Sequence, residues 1–83
     1  MFHKIKKVIP KESLILEVEF ENQVKKIYDV KQVLKKWKAF KILQNEEIFK
    51  EVVVDRGGYG ISWNESIDLS CEEIWERGET IEE

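Results

Sequence analysis

The sequence predicts an α+β fold in which a small antiparallel sheet of four to five strands packs with two short helices. Hydrophobic residues alternate with a period of two between Leu14 and Phe20, which is typical of a half-buried strand. After Asp29 the period becomes helical, and near the C-terminus a helix start signal at Ser70 precedes a stop signal at Gly78. A chain of 83 residues, 42% of them hydrophobic, suits one small core. We therefore expect a single domain over residues 1–83.

The first part of the chain is expected to form three strands. β-branched residues favour a short strand over His3–Val8, which Pro10 ends. Leu14–Phe20 and Val24–Val30 are the next two strands. The polar Glu21–Gln23 between them predicts a turn, so the pair should form a β-hairpin.

A helix is predicted to follow this hairpin, with Asp29 as its N-cap. The apolar residues fall at positions i, i+3, i+4 and i+7 of one helical stripe. They are Val30, Val33, Leu34 and Trp37, while Lys31, Lys35, Lys36 and Lys38 lie away from the stripe.

Short elements and turns alternate in the middle of the chain. Asn45–Phe49 is compatible with a single helical turn. Glu51–Asp55 is predicted to be a strand, and its three consecutive valines suggest cover on both faces. Arg56–Gly60 predicts a tight turn, after which Gly60–Trp63 returns as a strand. A phosphate-binding loop is disfavoured, because these glycines lead into a strand pattern and not into a helix.

The C-terminal region carries the clearest local signals. Ser70 and Glu73 have the spacing of a capping box, and Gly78 follows a basic last turn at Arg77. These signals predict a short helix over about residues 71–77 and a frayed tail over residues 78–83. We expect one core to hold eight apolar residues, namely Leu16, Val18, Phe20, Val33, Leu34, Trp37, Val53 and Trp63.

The composition excludes several classes of function. No apolar run approaches the ~20 residues of a membrane span, and the N-terminus has no hydrophobic block of a signal peptide. One cysteine cannot form an internal disulfide, so we expect a cytoplasmic protein. His3 and Cys71 are the only histidine and cysteine, too few for a structural zinc site. We expect no cofactor, and we expect Cys71 to be an inert, partly buried thiol.

The lysines are the one charged group that suggests a partner. Residues 1–50 hold twelve lysines against seven acidic residues, and residues 51–83 hold two arginines against ten acidic residues. Lys31, Lys35 and Lys38 recur at helical spacing and are candidate partner-binding residues. They could contact nucleic-acid phosphates. The absence of arginine among them and a pI of about 5.3 oppose that interpretation.

Three segments resemble a known family. They are the hairpin strand ending at Phe20 with Tyr28-Asp29-Val30, then Phe49-x-x-Val52-Val53-Val54-Asp55, and Ile61-x-Trp63-Asn64-x-x-Ile67-Asp68-Leu69-x-x-Glu72. Together they are similar to DUF2442, a small prokaryotic family of unknown function, over roughly residues 3–76. This sequence has Gln23 and Ser66 where glycine is usual in the family.

The resemblance implies structural roles for the shared residues and no catalytic set. The residues concerned are Phe20, Asp29, Phe49, Trp63, Asp68 and Leu69. Related proteins can carry a helix-turn-helix domain or be encoded beside a small partner of toxin–antitoxin type. The resemblance therefore implies an accessory or regulatory binding role.

These observations favour a non-enzymatic domain that binds another protein or a second copy of itself. The contact would be made by the edge of a strand or by the face that carries Lys31, Lys35 and Lys38. Direct nucleic-acid binding through these lysines is the alternative. A third is an enzyme that uses converging carboxylates, for which the candidates are Asp29, Asp55, Asp68 and Glu72.

Overall fold

Alternating strands and tight turns arrange the chain in two antiparallel sheets, described over residues 2–81 by a computed structural model. Among these residues, the strands are β1 Ile5–Lys11, β2 Ile15–Phe20, β3 Lys25–Asp29, β4 Val53–Val54, β5 Gly60–Asn64, β6 Ile67–Ser70 and β7 Glu79–Thr80. The α-helices are α1 Lys31–Leu34, α2 Glu46–Phe49 and α3 Cys71–Arg77, and a 3₁₀ segment covers Lys38–Gln44. One sheet has the order β1-β2-β3-β7 and the other the order β4-β5-β6. The predicted α+β class is confirmed, with a four-stranded sheet and an accompanying three-stranded one.

Both sheets contribute to one cluster of buried side chains. The inward residues of β2 are fully buried, and Leu16 lies opposite the equally buried Tyr28 of β3. Five of the eight residues predicted for the core are buried, and Leu34 is half-buried against them. The five are Leu16, Val18, Phe20, Val33 and Trp63.

The predicted helix is shorter than expected, and Trp37 is not in the core. α1 ends at Leu34, and the backbone of Trp37 is extended, with φ −131° and ψ 118°. The stripe therefore breaks before its fourth member, and the Trp37 side chain is 48% exposed. Phe40 and Leu43 of the following 3₁₀ segment are buried in its place.

Two strand predictions are also corrected. β1 continues through Pro10 to Lys11, and Pro10 pairs with Leu16. Proline is tolerated there because β1 is an outer strand of its sheet. β4 has only two residues at a sheet edge, so Val53 points outward and is 58% exposed instead of being covered on both faces.

The expected frayed tail is wrong for the residues that the structure describes. Glu79 and Thr80 form β7, which pairs with β3, and the N–H of Ile81 bonds to the Lys25 carbonyl at 2.9 Å. Gly78 eases this approach, because a Cβ there would lie 3.2 Å from the Ile27 carbonyl oxygen of β3. Residues 82–83 lie outside the described residues. Within residues 2–81, no helix has the length and apolar character that crossing a bilayer requires.

Candidate functional site

A groove of about 440 Å³ opens beside β6, the outer strand of the second sheet. We call it the β6 groove. One wall comes from the start of the 3₁₀ segment and the other from β6 and the first turn of α3. The lining residues are Trp37, Ala39, Phe40, Ser66, Asp68, Leu69, Ser70 and Glu73.

Aromatic packing positions the first wall. Phe40 is buried edge-on against the Trp63 ring, with centroids 6.3 Å apart. Trp37 leans on Phe40 at 5.8 Å, and about half of its side chain faces solvent. The extended backbone at Trp37 is therefore what places an indole beside the groove.

Hydrogen bonds within the second sheet determine which backbone groups of β6 face outward. The carbonyl of Gly60 in β5 accepts the N–H of Asp55 at 2.9 Å, so Gly60 turns its polar backbone groups toward β4. Ser62, two residues on, does the same, because the pattern repeats every two residues in an antiparallel strand. Asp68 pairs with Ser62. Its own N–H and C=O therefore point away from β5, at the free edge beside the groove.

The second wall carries carboxylates without a basic residue among the lining side chains. Asp68 is exposed on β6, and Glu73 lies in the first turn of α3. The backbone N–H of Glu73 bonds to the Ser70 hydroxyl at 3.1 Å, which is half of the predicted capping box. In a complete capping box the Glu73 carboxylate would also accept the backbone N–H of Ser70. Here that carboxylate accepts the Tyr28 hydroxyl at 2.9 Å instead.

A second groove, of about 960 Å³, lies between the β1–β2 turn and α2. Ser13 and Leu14 line it, and both have a φ of 61°. They are the central residues of a tight turn closed by the N–H of Ile15 on the Glu12 carbonyl. Two-residue hairpin turns of this type require positive φ at both central positions. The positive φ values of Ser13 and Leu14 are therefore explained by the turn and do not indicate a functional site.

The candidate lysines do not share one helix. Lys31 is in α1, where its Nζ lies 3.1 Å from Asp29 Oδ1 and donates to the Ser13 carbonyl at 2.6 Å. Lys35 follows the end of α1, and Lys38 begins the 3₁₀ segment. Both are exposed. The helical spacing on which this prediction depended is interrupted at Trp37.

Five of the six residues shared with the family fall into two groups. Phe20, Phe49 and Trp63 are buried, and the Trp63 indole N–H donates to the Phe49 carbonyl at 3.0 Å. Asp68 and Leu69 line the β6 groove.

Asp29 is a turn residue at the start of α1. Its carboxylate accepts the Lys31 N–H at 2.9 Å, although the N-cap position itself is Val30. Two of the other three candidate carboxylates, Asp55 and Glu72, have partners of their own. Asp55 accepts the Ser62 hydroxyl at 2.6 Å, and Glu72 bonds to His3. Among residues 2–81, no three histidine, cysteine or acidic side chains are grouped so that they could hold a metal ion.

Sequence reasoning missed a cluster that joins the N-terminal segment to α3. The His3 N–H donates to Glu72 at 2.7 Å, and its ring stacks on Trp75 with centroids 3.8 Å apart. Lys26 lies 4.3 Å from the centroid of the same indole. No local pattern signals a contact across 69 residues. Beside it, Cys71 is buried and burial raises the pKa of its thiol, which is the opposite of an activated cysteine.

Comparison with known families places this geometry in context. The sequence model of DUF2442, a family of proteins of unknown function, matches residues 5–80. The chain belongs to the DUF2442 family. The match extends from β1 to β7, so in this DUF2442 protein the C-terminal strand is part of the family domain. Neither the curated proteins nor the solved structures gave a match to the chain.

Proposed function

We propose that this DUF2442 protein is a non-enzymatic protein-binding domain whose partner adds an extended segment to the outer edge of β6. The supporting observation is the outward-facing backbone of Asp68 beside an open, aromatic-walled groove. In recognition by strand addition, main-chain hydrogen bonds give affinity and neighbouring pockets give specificity. The β6 edge supplies the main-chain hydrogen bonds, and the β6 groove supplies the pocket.

The proposal extends to the biological setting. An accessory or regulatory role, of the toxin–antitoxin type implied by the sequence resemblance, requires a domain that binds a partner without chemistry of its own. The separate hydrogen-bond partners of Asp29, Asp55 and Glu72 favour such a role over a carboxylate enzyme. A single free cysteine, buried in α3, favours a cytoplasmic location.

Asp68→Pro tests the β6 edge directly. Proline removes the outward N–H of Asp68, and it spares the hydrogen bonds within the sheet because this N–H makes none of them. The extended Ile67 suits the position before proline. The matched control is Asp68→Ala, which loses the side chain and keeps the N–H.

Each tagged protein would be used to capture partners from the native host, with identification by mass spectrometry. We expect wild type and Asp68→Ala to retain the same protein and Asp68→Pro to lose it, with unchanged circular dichroism. Retention by a folded Asp68→Pro variant would refute binding at the β6 edge.

A further inference from the structure

The β6 groove restricts the chemistry of the segment that can lie beside β6. We propose that this segment is basic, and that an arginine side chain opposite Asp68 enters the β6 groove between Trp37 and the carboxylates of Asp68 and Glu73. The inference rests on the proposed function, because it identifies the chemistry of the partner at that same edge.

The charges at the β6 groove favour a basic segment. The side chains lining the groove include two carboxylates and no lysine or arginine. Between residues 65 and 76 the chain has five acidic residues and no basic one. A segment that adds to β6 brings its own side chains into this acidic surface, so a basic segment is attracted and an acidic one is repelled.

The exposed indole of Trp37 favours an arginine side chain in the groove. Trp37 lines the same groove as Asp68 and Glu73, and its side chain is 48% exposed. A guanidinium is planar and weakly hydrated, so it can stack on an indole while donating to carboxylates at its edge. Tyr28 donates to Oε2 of Glu73, and a carboxylate has two oxygens that can accept hydrogen bonds. This combination favours arginine over lysine.

The pairing of an added strand with β6 determines which of its side chains lies beside Asp68. Asp68 and Ser70 are the exposed residues of β6, and both line the groove. The residue of an added strand that pairs with Asp68 projects its side chain to the same face of the sheet. An arginine at that position projects beside the Asp68 carboxylate, whereas its two neighbours project to the face of the buried Leu69.

Register also argues against a second copy of this chain as the occupant. Two β6 edges related by a two-fold axis and paired antiparallel through Asp68 would place Asp68 opposite its own copy. Like charges directly opposite each other destabilise a strand pair. The acidic edge therefore favours a different, basic chain.

The test uses synthetic peptides on the full-length protein. Capped seven-residue peptides of alternating threonine and valine would carry arginine, lysine, glutamine or glutamate at the centre. Binding would be followed through the Asp68 amide in two-dimensional NMR spectra. We expect the arginine peptide to bind about tenfold more tightly than the glutamine peptide, since it adds a cation–π contact and an ion pair. The glutamate peptide should be the weakest, and the arginine preference should shrink at high salt.

Variants then assign the preference to the groove. Trp37→Leu and Asp68→Asn should remove most of the arginine preference while leaving the glutamine peptide unaffected. Tyr59→Leu is the matched control, because Tyr59 is equally exposed at 48% and lies outside the groove. It should change nothing.

The possible results separate the two proposals. Equal binding of the arginine and glutamine peptides at the Asp68 amide would overturn the basic partner and leave the β6 edge in place. A lysine peptide as tight as the arginine peptide would overturn the stacking on Trp37. No response of the Asp68 amide to any peptide would overturn this inference, and partner retention by Asp68→Pro would overturn the proposed function.

Discussion

Tyr28 illustrates how single polar groups are accommodated in this small core. Its side chain is fully buried, and its hydroxyl donates to Glu73 at 2.9 Å. Burial is the main cause that raises the pKa of the Tyr28 phenol, and the hydrogen bond to Glu73 adds to it. The same bond connects the core to the groove, because Glu73 lines the β6 groove.

This raised pKa predicts a loss of stability in alkali. The unfolded chain releases the phenol proton near pH 10 and the native protein holds it, so stabilisation is complete below pH 10 and lost as the pH rises. Tyr28→Phe should cost about 1–2 kcal/mol at pH 7, since Glu73 loses a donor, and should flatten the alkaline decline. Urea unfolding between pH 7 and 11 measures both. The control is Tyr59→Phe; an equal flattening in it would contradict the assignment.

Glu72 gives the corresponding prediction in acid. The backbone N–H of His3 is the main cause that holds the pKa of the Glu72 carboxyl below its ordinary 4.5, and the bond to the His3 ring adds to it. Because the Glu72 carboxyl has a lower pKa in the native protein than in the unfolded chain, its ionisation stabilises the native state above pH 4.5. This stabilisation is lost as the pH falls through the native pKa. Stability should therefore decline below pH 4.5, and Glu72→Gln should reduce that decline. Thermal unfolding from pH 6 to 3 tests this, with the exposed Glu76→Gln as the control.

At the scale of elements, the β2–β3 hairpin is closed by a residue in an unfavourable conformation. The N–H of Gln23 donates to the Phe20 carbonyl at 2.9 Å, and the φ of Gln23 is 74°. Residues with a Cβ occupy this region at a cost, whereas glycine does not. The hairpin therefore forms from its strand pattern in spite of its turn chemistry.

Gln23→Gly should stabilise the protein by about 0.5–1 kcal/mol. The relief of the positive φ, about 1–2 kcal/mol, exceeds the extra entropy that glycine brings to the unfolded chain, about 0.5–1 kcal/mol. Glu21→Gly is the control in the same turn, because Glu21 is exposed and has no positive φ. It should be neutral or destabilising in urea unfolding. If both variants shift the midpoint equally, the turn at Gln23 is not strained.

Two of the exposed candidate lysines follow α1: Lys35 comes directly after it, and Lys38 begins the 3₁₀ segment. Because the proposed partner edge is β6, Lys35→Glu with Lys38→Glu should leave partner capture and circular dichroism unchanged. The unmodified protein should also show no salt-dependent mobility shift with duplex DNA or RNA, in line with its net charge of −3. Loss of capture in the double variant would indicate the lysine face, and a salt-dependent shift would indicate nucleic-acid binding.

At the scale of the whole molecule, the two sheets of residues 2–81 end in the outer strands β1, β7, β4 and β6. β7 covers the outer edge of β3, and β1 lies next to β4. β6 is the outer strand of the second sheet on the side of the acidic groove. An acidic edge resists pairing with itself, which is one way in which proteins avoid aggregation through edges.

This arrangement predicts a monomer in the absence of partner. Light scattering coupled to gel filtration should give a mass near 9.9 kDa at loading concentrations up to hundreds of micromolar. Asp68→Thr removes the repulsion between β6 edges and should increase self-association, whereas Asp68→Glu should not. A stable dimer of the unmodified protein would contradict the argument from like charges.

The sequence alone determined the elements whose causes are local. Alternation identified β2, and the polar turn after it indicated a hairpin with β3. The signals at Ser70 and Gly78 placed α3 at residues 71–77. It also singled out Asp68 and Leu69, through their resemblance to the family. These features depend on residues a few positions apart, which a one-dimensional pattern records.

Only the tertiary structure decided what those elements do together. Trp37 fits the apolar stripe of a helix, but Phe40 and Leu43 fill the core and leave the indole beside the groove. The tail residues Glu79 and Thr80 are polar, yet they pair with β3 because Gly78 brings them to its edge. The residues that determine where Trp37 and the tail lie are far from them in the chain, and they compete for the same space and hydrogen bonds. The result of that competition depends on tertiary packing, which no local sequence pattern contains.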